Sequence, residues 1–257
     1  MGEKITAAKA MLHYYEEPAI TDGTKPSGAV FFSGCNLKCV YCQNYDVSHE
    51  GLGKEIDVYR LSEIFKELEE KGASNIDLVT PAHFVPSIVE AFEIRRPGVP
   101  VVYNCGGYEE PETLRMIAPY VDFWLPDVKY FSDEYAIKYS SAPHYFETAV
   151  KALETMIETE KRIIVRHLVL PGLKDDSIKL LNALHERFGN DKFLLSLMSQ
   201  YTPFGRAKEY KELNRRVTSY EYNKVLDEAL RLGFDGFMQE RTSAKEEYTP
   251  DFDLEGV

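Results

Sequence analysis

From Ala29 onward the chain alternates short apolar runs with stretches of helical periodicity. The runs are Ala29–Phe32, Ile76–Val79, Val99–Tyr103, Val121–Leu125, Ile163–Leu170 and Phe193–Met198, and each gives way to polar, glycine or proline residues. Between the first two, Leu61, Ile64, Phe65 and Leu68 recur at i, i+3, i+4 and i+7, the stripe of an amphipathic helix that Gly72 closes. Ile88, Val89 and Phe92 mark a second helix, and Pro111 suits the first turn of a third. Thr218-x-x-Glu221 is a capping box opening a last helix that ends at Gly233. Six strand–helix units in succession predict a parallel sheet with helices outside. Six are enough for a partial (β/α)6 TIM-like barrel and too few for the closed eight-stranded form. Phe234–Gln239 predicts a final short strand, and Ala7–Leu12 reads as a short helical segment. No linker, repeat or low-complexity stretch divides the chain. The expected α/β organisation is therefore one domain over 1–257, with an N-terminal extension (1–27), a partial barrel (28–240) and a C-terminal tail (241–257).

Charge and composition narrow the function classes. Hydrophobic residues make up 44% and charged residues 28% of the 257, the balance of an ordinary globular protein. A net charge of −12 repels phosphate backbones, which argues against nucleic acid as a partner. No run of 18 apolar residues and no signal-peptide core is present, so the expectation is a cytoplasmic protein without a membrane partner. The abundance of Glu and Lys is compatible with a thermophile without proving one.

The cysteines bring in chemistry. Three of the four, Cys35, Cys39 and Cys42, fall at i, i+4 and i+7 in Cys35-Asn36-Leu37-Lys38-Cys39-Val40-Tyr41-Cys42-Gln43-Asn44. That is no disulfide framework, and it fits a reducing compartment. Three thiolates crowded into eight residues call for a shared metal partner. A structural zinc site would ask for a fourth ligand at regular spacing; the nearest imidazole, His49, lies seven residues on and alone. On a four-iron cubane, three thiolates leave one iron open to substrate chemistry.

The Cys-x3-Cys-x2-Cys spacing, with Tyr41 just before the third cysteine, resembles the radical S-adenosylmethionine (SAM) superfamily. The wider context, Phe31-Phe32-Ser33-Gly34-Cys35-Asn36-Leu37, is similar to the branch that includes pyruvate formate-lyase-activating enzyme. The resemblance implies an open (β/α)6 barrel over nearly the whole chain, with a [4Fe–4S] cluster on Cys35, Cys39 and Cys42. It also implies SAM chelated to the fourth iron. Asp127-x-Lys129 after the fourth strand resembles a motif that lies by the SAM carboxylate and ribose in that branch. Asn104, Ser196, Gln200 and Tyr201 correspond to positions near SAM, and Tyr41 belongs to the motif. The superfamily's Gly-Gly-Glu after the second strand, which holds the SAM amino group, is replaced here by Thr80-Pro81-Ala82-His83. Thr80 or a backbone carbonyl is left to accept from that ammonium.

The residues support a site at the strand ends independently. Barrel active sites sit at the C-terminal ends of the parallel strands, where each of these polar clusters falls. Arg166 is embedded in an apolar strand, where an unpaired charge is costly, so it should face the mouth and meet a carboxylate. His167 should face the other way and be packed. His83 and Cys105 are the candidates for a catalytic role. For Cys105 the ordinary fate of a free thiol, burial as a small hydrophobe, weighs against a hydrogen-atom donor or a substrate contact. His13–Pro18 is either a site lining or a solvated connection, and Thr249–Leu254 is a candidate cover for the mouth.

The activity implied by the resemblance is reductive cleavage of SAM to a 5′-deoxyadenosyl radical that takes a hydrogen atom from a substrate. Flavodoxin or ferredoxin would supply the electron. Two substrate classes stay open: a glycyl radical enzyme, and a small metabolite bound in the barrel. A non-catalytic electron carrier is disfavoured, since simple ferredoxins use four cysteines per cluster and need no barrel.

Overall fold

The computed structural model describes residues 4–14, 17–21, 25–238 and 250–257. Among them, nine strands form one sheet. β1 (Ile5–His13) and β2 (Ser27–Phe32) pair antiparallel, and β3 (Lys54–Ile56) adds to the free side of β1. From β2 the sheet runs on in parallel through β4 (Ile76–Val79), β5 (Val101–Cys105) and β6 (Phe123–Pro126). It continues through β7 (Arg162–Leu168), β8 (Leu194–Met198) and β9 (Gly236–Met238). All six expected parallel strands are present, and so is the short final one.

Helices fill the crossovers. A single turn, α1 (Tyr45–Ser48), follows the cysteine loop, and α2 (Val58–Glu70) leads from β3 to β4. α3 (Val85–Ile94) and α4 (Pro111–Ile117) follow β4 and β5. α5 (Asp133–Ser140) and α6 (Tyr145–Glu158) both follow β6, α7 (Lys174–Phe188) follows β7, and α8 (Ser219–Leu232) follows β8. The expected stripe of α2 is buried at Leu61, Ile64, Phe65 and Leu68. The capping box of α8 is formed: Thr218 Oγ1 accepts from Glu221 N, and the Glu221 carboxylate accepts from Thr218 N at 2.9 Å. Gly233, at φ +75°, closes that helix in the left-handed conformation glycine adopts without penalty.

The sequence expectation for Ala7–Leu12 was a helix, and the structure corrects it to strand β1. Ala7 pairs with Phe32 and Met11 with Ala29, while Thr6 and Ala7 pair on the other side with Glu55 and Lys54. Ala7, Ala8 and Ala10 are all buried. Alanine's helix preference is worth a few tenths of a kcal/mol per residue, which two neighbouring strands easily outweigh.

The main core lies between sheet and helices. A second, smaller cluster sits inside the barrel, where Val102, Leu125 and Ile164 point inward and Phe123 and Leu194 join them. Ala19 and Ile20, from the connection between β1 and β2, pack onto these residues and plug the barrel floor. The opposite end of the strands stays open.

The last residues lie along β1. Ala10 N donates to Glu255 O at 3.0 Å, and Lys9 Nζ reaches Asp251 O at 2.6 Å and Asp253 Oδ1 at 2.8 Å. Phe252 packs edge-on against Phe31, with ring centroids 5.4 Å apart. Of the expected extension and tail, residues 1–3, 15–16, 22–24 and 241–249, including Thr249, lie outside the described residues.

Candidate active site

The open end holds a cavity of about 720 Å³, lined by the ends of β2 and β4–β9 and by the cysteine loop. A volume of this size accommodates a drug-sized ligand. Strand alternation aims residues two apart into it, such as Asp77 and Val79 on β4 and Arg166 and Leu168 on β7. Val79 pairs with Asn104, Arg166 with Ser196, and a single bridge joins Asp127 to Arg166, so these side chains share one layer.

They form a continuous polar ladder across four strand ends. Asn104 Nδ2 donates to Asp77 Oδ2 at 3.2 Å, and Arg166 Nη2 donates to Asn104 Oδ1 at 2.5 Å. Arg166 Nε donates to Asp127 Oδ1 at 2.7 Å, and Lys129 Nζ to Asp127 Oδ2 at 2.6 Å. Burial alone would push the Asp127 carboxyl up; Arg166 and Lys129 outweigh it and hold the group below its usual range. Burial likewise works against the Lys129 ammonium, yet Asp127 and the nearby Cys39 raise it. Both partners of each pair are therefore charged, as the embedded Arg166 implied.

Above the ladder sits the cysteine loop. It is pinned to the end of α5: Lys38 N donates to Ser140 O at 2.9 Å and Val40 N to Tyr139 O at 2.8 Å. The Tyr41 hydroxyl meets that of Tyr130 at 2.6 Å, which in turn meets Ser140 Oγ at 2.8 Å. On the other side Asn36 Nδ2 donates to Tyr108 O. Gly106 allows this approach, since a Cβ there would come within 2.6 Å of Leu37 Cδ1.

All three cysteines line the cavity, and each sulfur accepts a hydrogen bond. The donors are Leu37 N to Cys35 at 3.4 Å, Ser140 Oγ to Cys39 at 3.0 Å and Ser48 Oγ to Cys42 at 3.2 Å. As thiols they resist ionisation: burial raises all three, Cys39 to about 12. Metal binding takes the place of the protons, and sulfurs already provided with donors suit a thiolate-held centre. Among the described residues no group of three His, Cys, Asp or Glu side chains converges to hold one ion. Three sulfurs spaced around a cavity mouth fit a polynuclear cluster held by cysteine.

The remaining candidates divide. Tyr41, Thr80, Gln200 and Tyr201 line the cavity; Tyr41 and Tyr201 meet edge-on at 6.0 Å. Thr80 is strained, with φ +59° on a β-branched residue, and its N donates to Asn104 O at 2.8 Å. Ser196 is fully buried and gives its hydroxyl to Glu17, 2.9 Å from both carboxylate oxygens. His83 braces the cysteine loop from behind instead of lining the cavity: its Nε2 meets Ser33 O at 2.6 Å, and burial lowers its basicity. Cys105 reaches the cavity wall but is buried, and burial raises its thiol well above the ordinary range. His167 is packed as expected, between Val128 O at 2.7 Å and Ser177 Oγ at 2.9 Å, and burial lowers it to about 4.

Two features escaped sequence reasoning. Asp77 extends the ladder by one strand, and a charge inside the apolar run Ile76–Val79 was its signal, just as for Arg166. Glu109 is buried, accepts from the Tyr103 hydroxyl at 3.1 Å and bonds the Cys105 thiol. Burial pushes its carboxyl up to about 7. Of the segment His13–Pro18, His13, Glu17 and Pro18 line the cavity, while Tyr15 and Glu16 lie outside the described residues.

Known proteins resemble this chain in sequence and in fold. The profile of the radical SAM superfamily matches residues 29–184, more than half of the chain. An uncharacterized protein of Methanocaldococcus jannaschii, MJ0674, is 32% identical over 233 residues, covering 87% of this chain and 67% of that protein. The pyruvate formate-lyase-activating enzyme of Clostridium pasteurianum is 25% identical over 178 residues, covering 64% of this chain and 70% of that enzyme. The crystal structure of Streptococcus suis SuiB bound to S-adenosylmethionine is similar in fold, with a TM-score of 0.55 at 10% identity. The match covers 83% of this chain and 50% of SuiB, so the chain spans about half that protein's length. The chain belongs to the radical SAM superfamily, whose members use a [4Fe–4S] cluster and S-adenosylmethionine.

Proposed function

We propose that Cys35, Cys39 and Cys42 hold the cluster at the cavity mouth and that SAM lies between it and the polar ladder. The observation that carries this reading is that the three cysteines and the ladder line one cavity. When bound, cluster and SAM supply reductive cleavage of the C5′–S bond and a 5′-deoxyadenosyl radical that takes a hydrogen atom from the substrate. The protein's part is binding and orientation. Lys129 and Arg166 present donors at the depth of the ladder for the SAM carboxylate, and Asp127 keeps both cations in place. Thr80, turned by its left-handed backbone, and the Asp77 carboxylate offer acceptors on the β4 side for the ammonium. Phe31, Leu168 and Met198 supply an apolar wall that keeps water from the reacting atoms.

For the substrate, similarity to pyruvate formate-lyase-activating enzymes supports a backbone glycine of a glycyl radical enzyme, with flavodoxin or ferredoxin as donor. A second reading, a small molecule bound in the barrel, is supported by the polar lining that extends from the ladder to His13 and Glu17. Deuterium tracing separates the two. Pyruvate formate-lyase carrying deuterated glycine should pass deuterium into 5′-deoxyadenosine under anaerobic turnover. Label arriving only from a deuterated metabolite extract would establish the second reading against the first.

A further inference from the structure

We propose that an acidic one-electron donor protein docks on a basic face behind the cysteine loop, built on residues 205–216 with Lys38 and Lys138. This rests on the reading that Cys35, Cys39 and Cys42 hold the cluster. In a chain of net charge −12, the segment Gly205–Arg216 carries five basic residues, Arg206, Lys208, Lys211, Arg215 and Arg216, against Glu209 and Glu212. Both carboxylates are already neutralised: Glu209 pairs with Arg206 at 2.8 Å, and Glu212 with Lys138 at 2.6 Å. Arg215 pairs with Glu221, on α8. Among the described residues Lys38, Lys208, Lys211 and Arg216 enter no ion pair, and all four are exposed. The surplus is therefore positive where the rest of the surface is negative.

The position of this face gives the surplus a purpose. Gly205, at φ +52°, sits directly on the cysteine loop; a Cβ there would come within 3.1 Å of Val40 O and 2.8 Å of Tyr45 Cδ2. Tyr210 meets Tyr139 edge-on at 5.4 Å, and Tyr139 O holds Val40 N. The Tyr201 hydroxyl donates to Leu213 O at 2.8 Å while its ring meets Tyr41. One layer of residues thus separates the basic face from the loop between Cys39 and Cys42. The three cysteines line the cavity that SAM and substrate would fill. A donor docked behind the loop leaves that cavity clear, and it meets positive charge there. Complementary charge steers such an encounter and speeds association at low salt.

The test uses the chain loaded with its cluster and an acidic flavodoxin photoreduced to the hydroquinone, with cluster bleaching followed by stopped flow. In the wild type the rate should fall steeply as salt rises. K208E/K211E should be slower by about tenfold or more at low salt, with a flattened salt dependence. K208R/K211R should behave as wild type, and dithionite should reduce all three equally. Equal flavodoxin rates and salt dependence in wild type and K208E/K211E would overturn the docking face alone. An RNA oligonucleotide bound by the wild type and lost in K208E/K211E, with unchanged flavodoxin rates, would reassign the face and also overturn it. A chain that takes up no cluster would refute the cluster reading and this proposal together.

Discussion

Arg166 donates through Nε to Asp127 at 2.7 Å, across the single bridge that joins the ends of β6 and β7, and its second nitrogen holds Asn104 on β5. One guanidinium therefore ties three neighbouring strand ends together at the depth proposed for SAM. Removing it leaves half-buried Asp127 to its ion pair with Lys129. Arg166→Ala should lower unfolding stability by about 3 kcal/mol, the scale for breaking a buried pair on one side. Arg166→Lys should recover part of that loss and still bind SAM more weakly, because an ammonium cannot reproduce the planar fork. Denaturant unfolding and SAM titration of the two variants check this.

Thr80 carries backbone strain at the end of β4. A β-branched residue at φ +59° stores on the order of 1–3 kcal/mol. Thr80→Gly should relieve it, offset by the greater chain entropy glycine loses on folding, for a net gain of about 1 kcal/mol or less. SAM affinity should survive in Thr80→Gly if the backbone carbonyl is the acceptor and drop if the hydroxyl is. A denaturation midpoint and a SAM isotherm read the two effects separately.

Glu109 gives a pH signature. Its carboxyl is raised to about 7 by burial, above the ordinary unfolded value of about 4.3. Between those values the folded state holds a proton that the unfolded state has lost, so the contribution of Glu109 falls as pH rises, by about 1.4 kcal/mol per unit. His167, lowered to about 4 by burial, acts in the opposite sense: below about 6.5 the unfolded state takes up a proton that the folded state does not. The difference in stability between wild type and Glu109→Gln isolates the first effect. It should decline from pH 4.5 to 7 and level off above.

The fold was largely legible in hydrophobic periodicity, because parallel strands buried on both faces and amphipathic helices leave different repeats. The ladder was legible in part: Arg166 betrayed itself as a charge inside an apolar run, and Asp77 offered the same signal one strand earlier. What escaped was whatever depends on distant chain. The alanine-rich β1 carries no alternation that distinguishes it from a helix, and pairing partners made it a strand. Ser196 meets Glu17 across 179 positions. The strain at Thr80 and the burial of Glu109 are properties of backbone placement that no local pattern displays.

The fourth cysteine separates ligand from bystander. Cys35→Ala, Cys39→Ala and Cys42→Ala should each lose iron and the cluster's visible absorption on anaerobic reconstitution. Cys105→Ala should keep both, since that thiol is buried with Glu109 in the core. Iron loss in Cys105→Ala would mean that the ligand set has been misassigned.

SAM bound in this cavity should be cleaved reductively. The most direct measurement is chromatographic detection of 5′-deoxyadenosine after anaerobic reconstitution with iron and sulfide, followed by dithionite and SAM. 5′-Deoxyadenosine should form with the wild type and not with Cys39→Ala. An intact, reduced cluster in the presence of SAM with no 5′-deoxyadenosine formed would contradict reductive cleavage.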